Sequence, residues 1–543
     1  MENKSTKKRQ HQDDDDEEDK DIEMKEEKNI EGEDNLYENE SSYESVEDNE
    51  IEDDDEEEKN KNIKIKGIKE IKKEKKSEDK NKIQVNLWDD KKNDKLKEGE
   101  ILDYDNNAYE MLHRSKVEWP CLSVDFLLKE NSSISSLKDF YLPNDKRKMV
   151  EDKYPYNAYI IAGSQTNEKD GFFYFMKWYN MRKTKYDDDP DKGEENDDDE
   201  DDDKINPFMK YEKIKVNGNI NRVKSMKNSS ICALWMDSPS VDIIDCEELF
   251  NNIEYQEEIK VEENINKNKN KKIKKDIKYR KIFKKSIPQK SEGFAIDWNN
   301  ISPFILALGG YDKKVCIFKP KDENISDIIP YGDFLTGHSD SVEDIQWSPN
   351  EENVLASCGI DKTIRFWDIR QNSKNSPKII KYAHNSDVNV ISWNTIRNHL
   401  FASGGDDYTF KVWDLRYLNE PTITEIKWHT GPINSIMWDP FDESQLAVCS
   451  EDNRLSVWDF SVEPDEKKLF DNFNHEIPQQ LVFLHQGQIN LKDVKFHPVF
   501  KNMLISSAEN GLNLFRPNFI DEESEENDND LMEEDDDKIE DKK

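Results

Sequence analysis

Short apolar runs, most of them alternating with polar residues, recur at close range through the middle of this chain. Val342 to Trp347, Val354 to Ser357 and Thr363 to Trp367 are too short for helices and rich in branched and aromatic residues. The turn residues Ser348-Pro349-Asn350 and Gly359 to Lys362 divide them, so they predict successive β-strands. The layout returns at Val388 to Trp393, Leu400 to Ser403 and Thr409 to Trp413. A histidine precedes each set and Trp-Asp closes it, from Gly337-His338 to Trp367-Asp368, from Ala383-His384 to Trp413-Asp414, and from Trp428-His429 to Trp458-Asp459. A recurrence of about 45 residues is the period of a four-stranded propeller blade.

Fainter copies flank these three. Leu484-His485 to Phe515-Arg516 keeps the histidine, with Glu509 at the aspartate position and Phe515 at the tryptophan position. Upstream, Gly293 to Lys319 has Trp298, Asp312 and Phe318 at the matching offsets with no histidine before them, and Asn219 to Cys246 and Tyr154 to Tyr179 keep only strand-like patterning. Between Trp119 and Arg516 there is room for about seven periods once two low-complexity inserts are set aside. The expected fold is all-β, a seven-bladed WD40 β-propeller over 119–519, with inserts near 183–206 and 255–288. Leu122, Val124 and Phe126 alternate with Ser123 and Asp125 and predict an N-terminal strand that completes the last blade. Just before it, Ile101 to His113 (ILDYDNNAYEMLH) spaces Leu102, Tyr109, Met111 and Leu112 in a mixed helical pattern that Trp119-Pro120 stops, which predicts an N-terminal helix over 96–118. That helix either packs on the side of the ring or shares with it a groove for a partner helix.

Composition changes the picture outside the ring. The 543 residues carry a net charge of −41, with 37% charged and only 34% hydrophobic residues, so part of the chain lacks the apolar surface to fold. Residues 1–60 hold about −20, 186–204 about −11 and 521–543 about −11, leaving the ring and its basic segments near neutral. Residues 1–95 and 520–543 are accordingly expected to be disordered tails. Acidic tracts in three places around one folded ring suit capture of a strongly basic protein, against the alternative of plain solubilising tails. Lys59 to Lys76 and Lys267 to Lys285 run the other way and read as nuclear-import signals, RNA contacts or Lys/Asn drift in loops. Net negative charge argues against nucleic acid as the main ligand. No apolar run approaches a membrane span, and the charged stretch Met1 to Gln10 is unlike a secretory signal. Six cysteines without CxxC spacing, and the absence of P-loop, GxGxxG and HExxH patterns, leave no metal, cofactor or catalytic site to expect. A serine, a histidine and an aspartate do recur inside the repeats, but a nucleophile would have no reason to repeat with its blade.

Several phrases carry a specific resemblance. AYEMLHRSKVEWPCLSVDF, GHSDSVEDIQWSP with its sequel DVNVISW, and IPQQLVFLHQG closely resemble the glutamate-rich WD-repeat family, which includes a ribosome assembly protein, and more distantly the retinoblastoma-binding histone chaperones. The resemblance implies that His338, Ser357, Asp361 and Trp367, and likewise His384, Ser403, Asp407 and Trp413, form hydrogen-bonded structural tetrads. The third repeat has His429, Asp452 and Trp458 but Val448 at the serine position, so an incomplete network is expected there. It further implies a groove between the N-terminal helix, at Tyr109, Leu112 and His113, and the long loop before Pro478, at Glu463, Asp465, Glu466, Asp471 and Glu476. Ile477-Pro478 stands where the histone chaperones have two prolines. A second candidate surface is the top of the ring, at Asp340, Glu343, Asp344, Asp387, Asn389 and Asn434.

The implied function is a non-enzymatic nucleolar chaperone that binds a basic large-subunit ribosomal protein and acts with pre-ribosomal particles. Core histones are the alternative cargo. A third reading is a cullin-ring ubiquitin-ligase receptor, from the WDIR and WDLR endings at Arg370 and Arg416. Limited proteolysis checks the domain plan: cuts are expected up to about residue 95, within about 183–206 and 255–288, and beyond about 520, leaving a nicked ring. Protection of Asp197 to Asp203 in the free protein would count against it.

Overall fold

Strands this short, joined by tight turns, pair with their sequence neighbours as antiparallel sheets. The computed structural model describes residues 108–128, 154–184, 207–254, 284–321, 327–371, 378–417, 422–463 and 476–518, with the backbone of Ile63–Ile65, Ile68–Ile71, Lys82–Gln84 and Lys468–Phe470. These residues fall within one unit, Asn60–Lys543, in which seven sheets form a closed ring. From inner to outer strand, blade 1 is Cys121–Phe126, Tyr156–Ser164, Asp170–Met181 and Phe208–Asn217, and blade 2 is Ile220–Ser225, Ile231–Met236, Ser240–Asp245 and Lys284–Pro288. Blade 3 starts at Ala295–Trp298, blade 4 at Val342–Trp347, blade 5 at Val388–Trp393, blade 6 at Ile433–Trp438 and blade 7 at Leu491–Phe496.

The ring closes differently from the sequence expectation. Tyr109–Ser115 is a strand, not the end of a helix, and it is the outer strand of blade 7, running antiparallel to Gly511–Pro517 from Leu512↔Ser115 to Pro517↔Tyr109. Cys121–Phe126, expected in the last blade, is the inner strand of blade 1. Residues 96–107 of the expected helix lie outside the described residues, as do both tails apart from the short strands named above. The second insert is shorter than expected, because Lys284–Pro288 pairs with Ser240–Asp245. A helix does form at 247–254, capped by the Asp245 carboxylate accepting from Glu247 N at 3.0 Å, with Leu249, Phe250 and Ile253 buried against blades 1 and 2.

One set of polar bonds holds blade to blade, and a second locks individual blades. Around the inner strands, every seam is crossed by a side chain: Ser225 N donates to Asp125 at 2.8 Å, Trp298 Nε1 to Lys224 O at 3.2 Å, and Trp347 N to Asp297 at 2.8 Å. Ile391 N donates to Asp344 at 3.0 Å and Trp438 N to Ser392 Oγ at 3.3 Å. Asp493 completes the circle, accepting from Ser435 Oγ at 2.8 Å on one side and from Val124 N at 3.2 Å on the other. Further out lie the tetrads. In blade 4, Trp367 Nε1 donates to Ser357 Oγ (2.8 Å), Ser357 to His338 Nε2 (2.7 Å), and His338 Nδ1 to Asp361 (2.9 Å). Blade 5 repeats this with Trp413, Ser403, His384 and Asp407 at 2.9, 2.8 and 3.0 Å. Both serines are fully buried with their hydroxyls committed to neighbours, which is the geometry of a structural lock.

Blade 6 departs from the expectation of an incomplete network. Ser456 bonds His429 Nε2 at 2.8 Å and accepts from Trp458 Nε1 at 2.7 Å, while His429 Nδ1 donates to Asp452 at 3.0 Å. Ser456 is directly opposite Val448 in the ladder, so the hydroxyl reaches the same space from the neighbouring strand. Before blade 7, His485 accepts from the Tyr109 hydroxyl at 2.7 Å and donates through Nε2 to Gln488 at 3.1 Å, so its lock runs to the closing strand.

Removing the Ser456 hydroxyl (Ser456→Ala) should destabilise the protein by about 1 to 3 kcal/mol, as should Ser403→Ala, read by thermal melting. A silent Ser456→Ala would mean that blade 6 has no lock. Acid should unfold the ring in two stages. Burial pushes His485 down to about 4 and His497 to about 3, so both stay neutral while the unfolded chain protonates. Their contribution is full above about pH 6.5 and declines from there toward those values. Burial alone would raise Asp361 and Asp407, but the hydrogen bonds from His338 and His384 outweigh it and hold both carboxyls well below the usual range. That contribution is present above about pH 4 and lost as pH falls through the folded values. The contribution of these four groups is therefore expected to start falling near pH 6.5 and to steepen below about 4, against the opposite slope of Asp439, which burial raises to about 7; comparing the pH dependence of melting in the parent with that of an Asp439→Asn variant isolates it.

Candidate functional site

The flank of the ring beside the closing strand is built by alternation. Tyr109 and Leu112 point inward: Tyr109 packs edge-on against Phe483 at 5.3 Å, and both are buried in the core shared by blades 6 and 7. Tyr109 belongs to the ring's seam, and Leu112 serves both the seam and the groove described next, which it also lines. His113 faces the other way, half-buried, with Nε2 3.2 Å from Arg182 O, and burial lowers its pKa against the opposing effect of that carbonyl. Together with Trp178, Tyr179, Phe208 and Met209 it lines a groove of about 390 Å³ between the outer strands of blades 7 and 1. Phe208 stacks on Tyr179 at 4.6 Å, and Lys177 and Lys210 lie over the Tyr179 ring at 4.4 and 5.1 Å. This rim is aromatic and cationic.

The long loop of blade 6 has backbone order that its acidic composition does not suggest. Lys468–Phe470 pairs antiparallel with Glu476–Ile477 and parallel with Lys82–Gln84, so a segment from far upstream adds a strand to the loop. Glu463 and Glu476 are exposed at its two ends, and Asp465, Glu466 and Asp471 lie outside the described residues.

On the top of the ring the predicted residues divide into two groups. Asp344 and Asn434 are stitches, Asp344 accepting from Ile391 N and Asn434 Nδ2 donating to Leu491 O at 2.7 Å. Asn389 also points along the seam, donating to Ile433 O at 3.3 Å and to Asp406 at 2.6 Å. Asp340, Glu343 and Asp387 are half-buried. Burial, and then the nearby Asp406 and Asp340 charges, raise the pKa of Asp387; burial also raises that of Glu343. Lys362 opposes the rise at Asp387, and an incoming cation would act on it in the same direction. Asp406 was missed from sequence, as were the exposed rings of Tyr382 and Tyr408. Aligning the repeats would have found Asp406, one residue before the turn aspartate of blade 5, where blade 4 has Ile360 and blade 6 has Glu451.

The WDIR and WDLR arginines fold back on their own repeats: Arg370 and Arg416 reach Asp368 and Asp414 at 2.7 and 2.6 Å and remain more than half exposed. Among the described residues no group of histidine, cysteine or acidic side chains could hold a metal ion, and no helix is long and apolar enough to cross a membrane.

Seven sheets of this pattern, with buried tetrads in blades 4, 5 and 6, define a WD40 β-propeller, a fold that serves as a non-catalytic platform for protein interactions. Models of the WD domain, G-beta repeat, match 331–368, 376–414 and 420–459, and the model described as histone-binding protein RBBP4, or the equivalent component of the CAF1 complex, matches 99–182. The chain is 36% identical to glutamate-rich WD repeat-containing protein 1 of Dictyostelium discoideum over 440 residues, 78% of this chain and 83% of that one. It is 35% identical to protein HEAT STRESS TOLERANT DWD 1 of Arabidopsis thaliana over 450 residues (78% and 90%), and 32% identical to ribosome assembly protein rrb1 of Schizosaccharomyces pombe over 438 residues (78% and 83%). This chain belongs to the glutamate-rich, ribosome-assembly family of WD-repeat proteins, with the histone-binding propellers as more distant relatives.

Proposed function

We propose that the protein is a nucleolar assembly factor that holds a basic large-subunit ribosomal protein and brings it to pre-ribosomal particles. The carboxylate cluster of Asp340, Asp387 and Asp406 on the top of the ring carries this reading: Asp340 pairs with Lys313 at 3.3 Å and Lys362 lies near Asp387, and a strongly basic ligand would compete with these two lysines for three carboxylates. The likeness to a ribosome assembly protein supports it. Acidic tracts on either side of the ring raise the encounter rate, and the ring supplies close contacts. The match of 99–182 to a histone-binding model favours core histones as the second reading.

Tagged protein purified from cells should carry large-subunit ribosomal proteins; core histones or cullin adaptors in their place would overturn the first reading. Kinetics separate the parts. Deleting 1–60 and 521–543 should slow association with the purified ribosomal protein and flatten its salt dependence. Asp340→Lys with Asp387→Lys should instead raise the dissociation rate about tenfold or more. Isolated tails that bind as tightly as the whole chain, with this variant unchanged, would remove the ring from the binding site.

A further inference from the structure

Blade 3 lacks the lock that the next three blades have, and its absence leaves a cavity. Counted from the inner-strand tryptophan, blade 4 has His338, Ser357, Asp361 and Trp367 where blade 3 has Gln289, Leu308, Asp312 and Phe318. Only the aspartate is retained. All four of these residues line a notch of about 420 Å³ between the outer parts of blades 2 and 3. A smaller ring replaces the indole and an amide replaces the imidazole, so volume filled elsewhere stays open here.

Three features give the notch a chemistry. Its walls are apolar, formed by Leu308, Cys316, Phe318 and Ile328. Two N–H donors of its lining residues, Trp235 Nε1 and Gln289 Nε2, are buried and meet no acceptor among the described residues, and Trp235 is only 2% exposed. A buried donor without an acceptor is costly, and an incoming oxygen would satisfy it. At the rim stand Lys285, Lys290 and Lys314 against the single carboxylate of Asp312. Lys290 and Lys314 lie 5.7 and 5.3 Å from the ring of Phe334, itself 45% exposed.

We infer that this notch is a docking site for a short acidic peptide of a partner protein, bound through one bulky apolar side chain. The apolar residue enters the volume left by the missing tryptophan, carboxyl or carbonyl oxygens accept from Trp235 and Gln289, and flanking carboxylates pair with the three lysines. The ligand has the opposite charge to the cargo of the top face, so neither would occupy the other's site, although Lys313, between Asp312 and Lys314, pairs with Asp340.

The test uses the full chain and a fluorescein-labelled peptide in which one leucine is flanked on each side by three aspartates. Fluorescence anisotropy should show saturable binding. Lys290→Glu with Lys314→Glu should weaken it at least tenfold while leaving the melting temperature unchanged. Rebuilding the lock, with Gln289→His, Leu308→Ser and Phe318→Trp together, should fill the notch and abolish binding in a chain that melts no lower than the parent. Asp340→Lys with Asp387→Lys should leave peptide affinity as it is, which separates this site from the proposed cargo surface. Absence of binding, or binding undiminished by the lysine reversal, overturns the assignment. So does binding seen only once the chain ends at Asn518, since the protein's own C-terminal tail would then be the occupant.

Discussion

The pairing of Tyr109–Ser115 with Gly511–Pro517 is the contact on which the rest of this ring depends. A four-stranded blade buries its faces only against its neighbours, and the apolar clusters here straddle seams, as where Met111, Met503 and Leu514 pack with Val124 and Ile160. Without the closing strand, blade 7 would present an open edge and the core between blades 7 and 1 would lose one wall. The two segments come from opposite ends of the folded region, so closure brings a loop-entropy cost that the ladder and the core across it must offset. The bond from Tyr109 to His485 adds a side-chain anchor at the same place, and Asp493 joins the inner strands across the closing seam.

Repetition distributes the remaining stability, and that is what lets single blades vary. Blade 6 lost its serine at Val448 and regained the hydroxyl at Ser456 on the facing strand, because cross-strand partners share one face of the sheet. Blade 3 lost histidine, serine and tryptophan without such a substitute, yet keeps its inner-strand bond from Trp347 N to Asp297 and the salt bridge of Asp297 with Lys224 at 3.2 Å. Burial alone would lower the pKa of Lys224, but Asp297 and Asp125 raise it, so this buried lysine remains charged and paired. A blade held from inside can leave its outer half imperfect. Such a place is where a propeller can take a ligand at little cost to the fold.

Much of the architecture was legible because the period is a physical unit. Four strands must recur for each blade, so His338, His384 and His429 mark three blades and set the period from which the others are counted. What failed was local. Tyr109 to Leu112 are buried at Tyr109, Met111 and Leu112, a pattern equally compatible with a helix face and with an outer strand whose both sides touch neighbours. Only the partner strand, some 400 residues away, decides between them. Ser456 was invisible for the same reason, since register is not written in spacing. Of the candidate contact residues, Asp344, Asn434 and Tyr109 also serve seams, because polar and aromatic residues near turns are what inter-blade bonds require, while Leu112 lines the groove with His113. The residues of the notch were legible only as a gap, an expected histidine missing before Trp298.

The distribution of charge over the ring follows from these roles. Carboxylates of the inner strands are taken up by backbone N–H groups and lysines, so Asp125, Asp297 and Asp493 are already partnered within the ring. Charge left for partners therefore concentrates where the repeat does not use it: Asp387 and Asp406 on the top, lysines beside the aromatic groove of blades 7 and 1, and lysines around the notch of blade 3. A factor that only stored a basic protein would need the acidic surface alone. Under the proposed role, one that also delivers its cargo has to contact a second component, and a surface of opposite charge lets it do so without the two ligands competing for the same side chains.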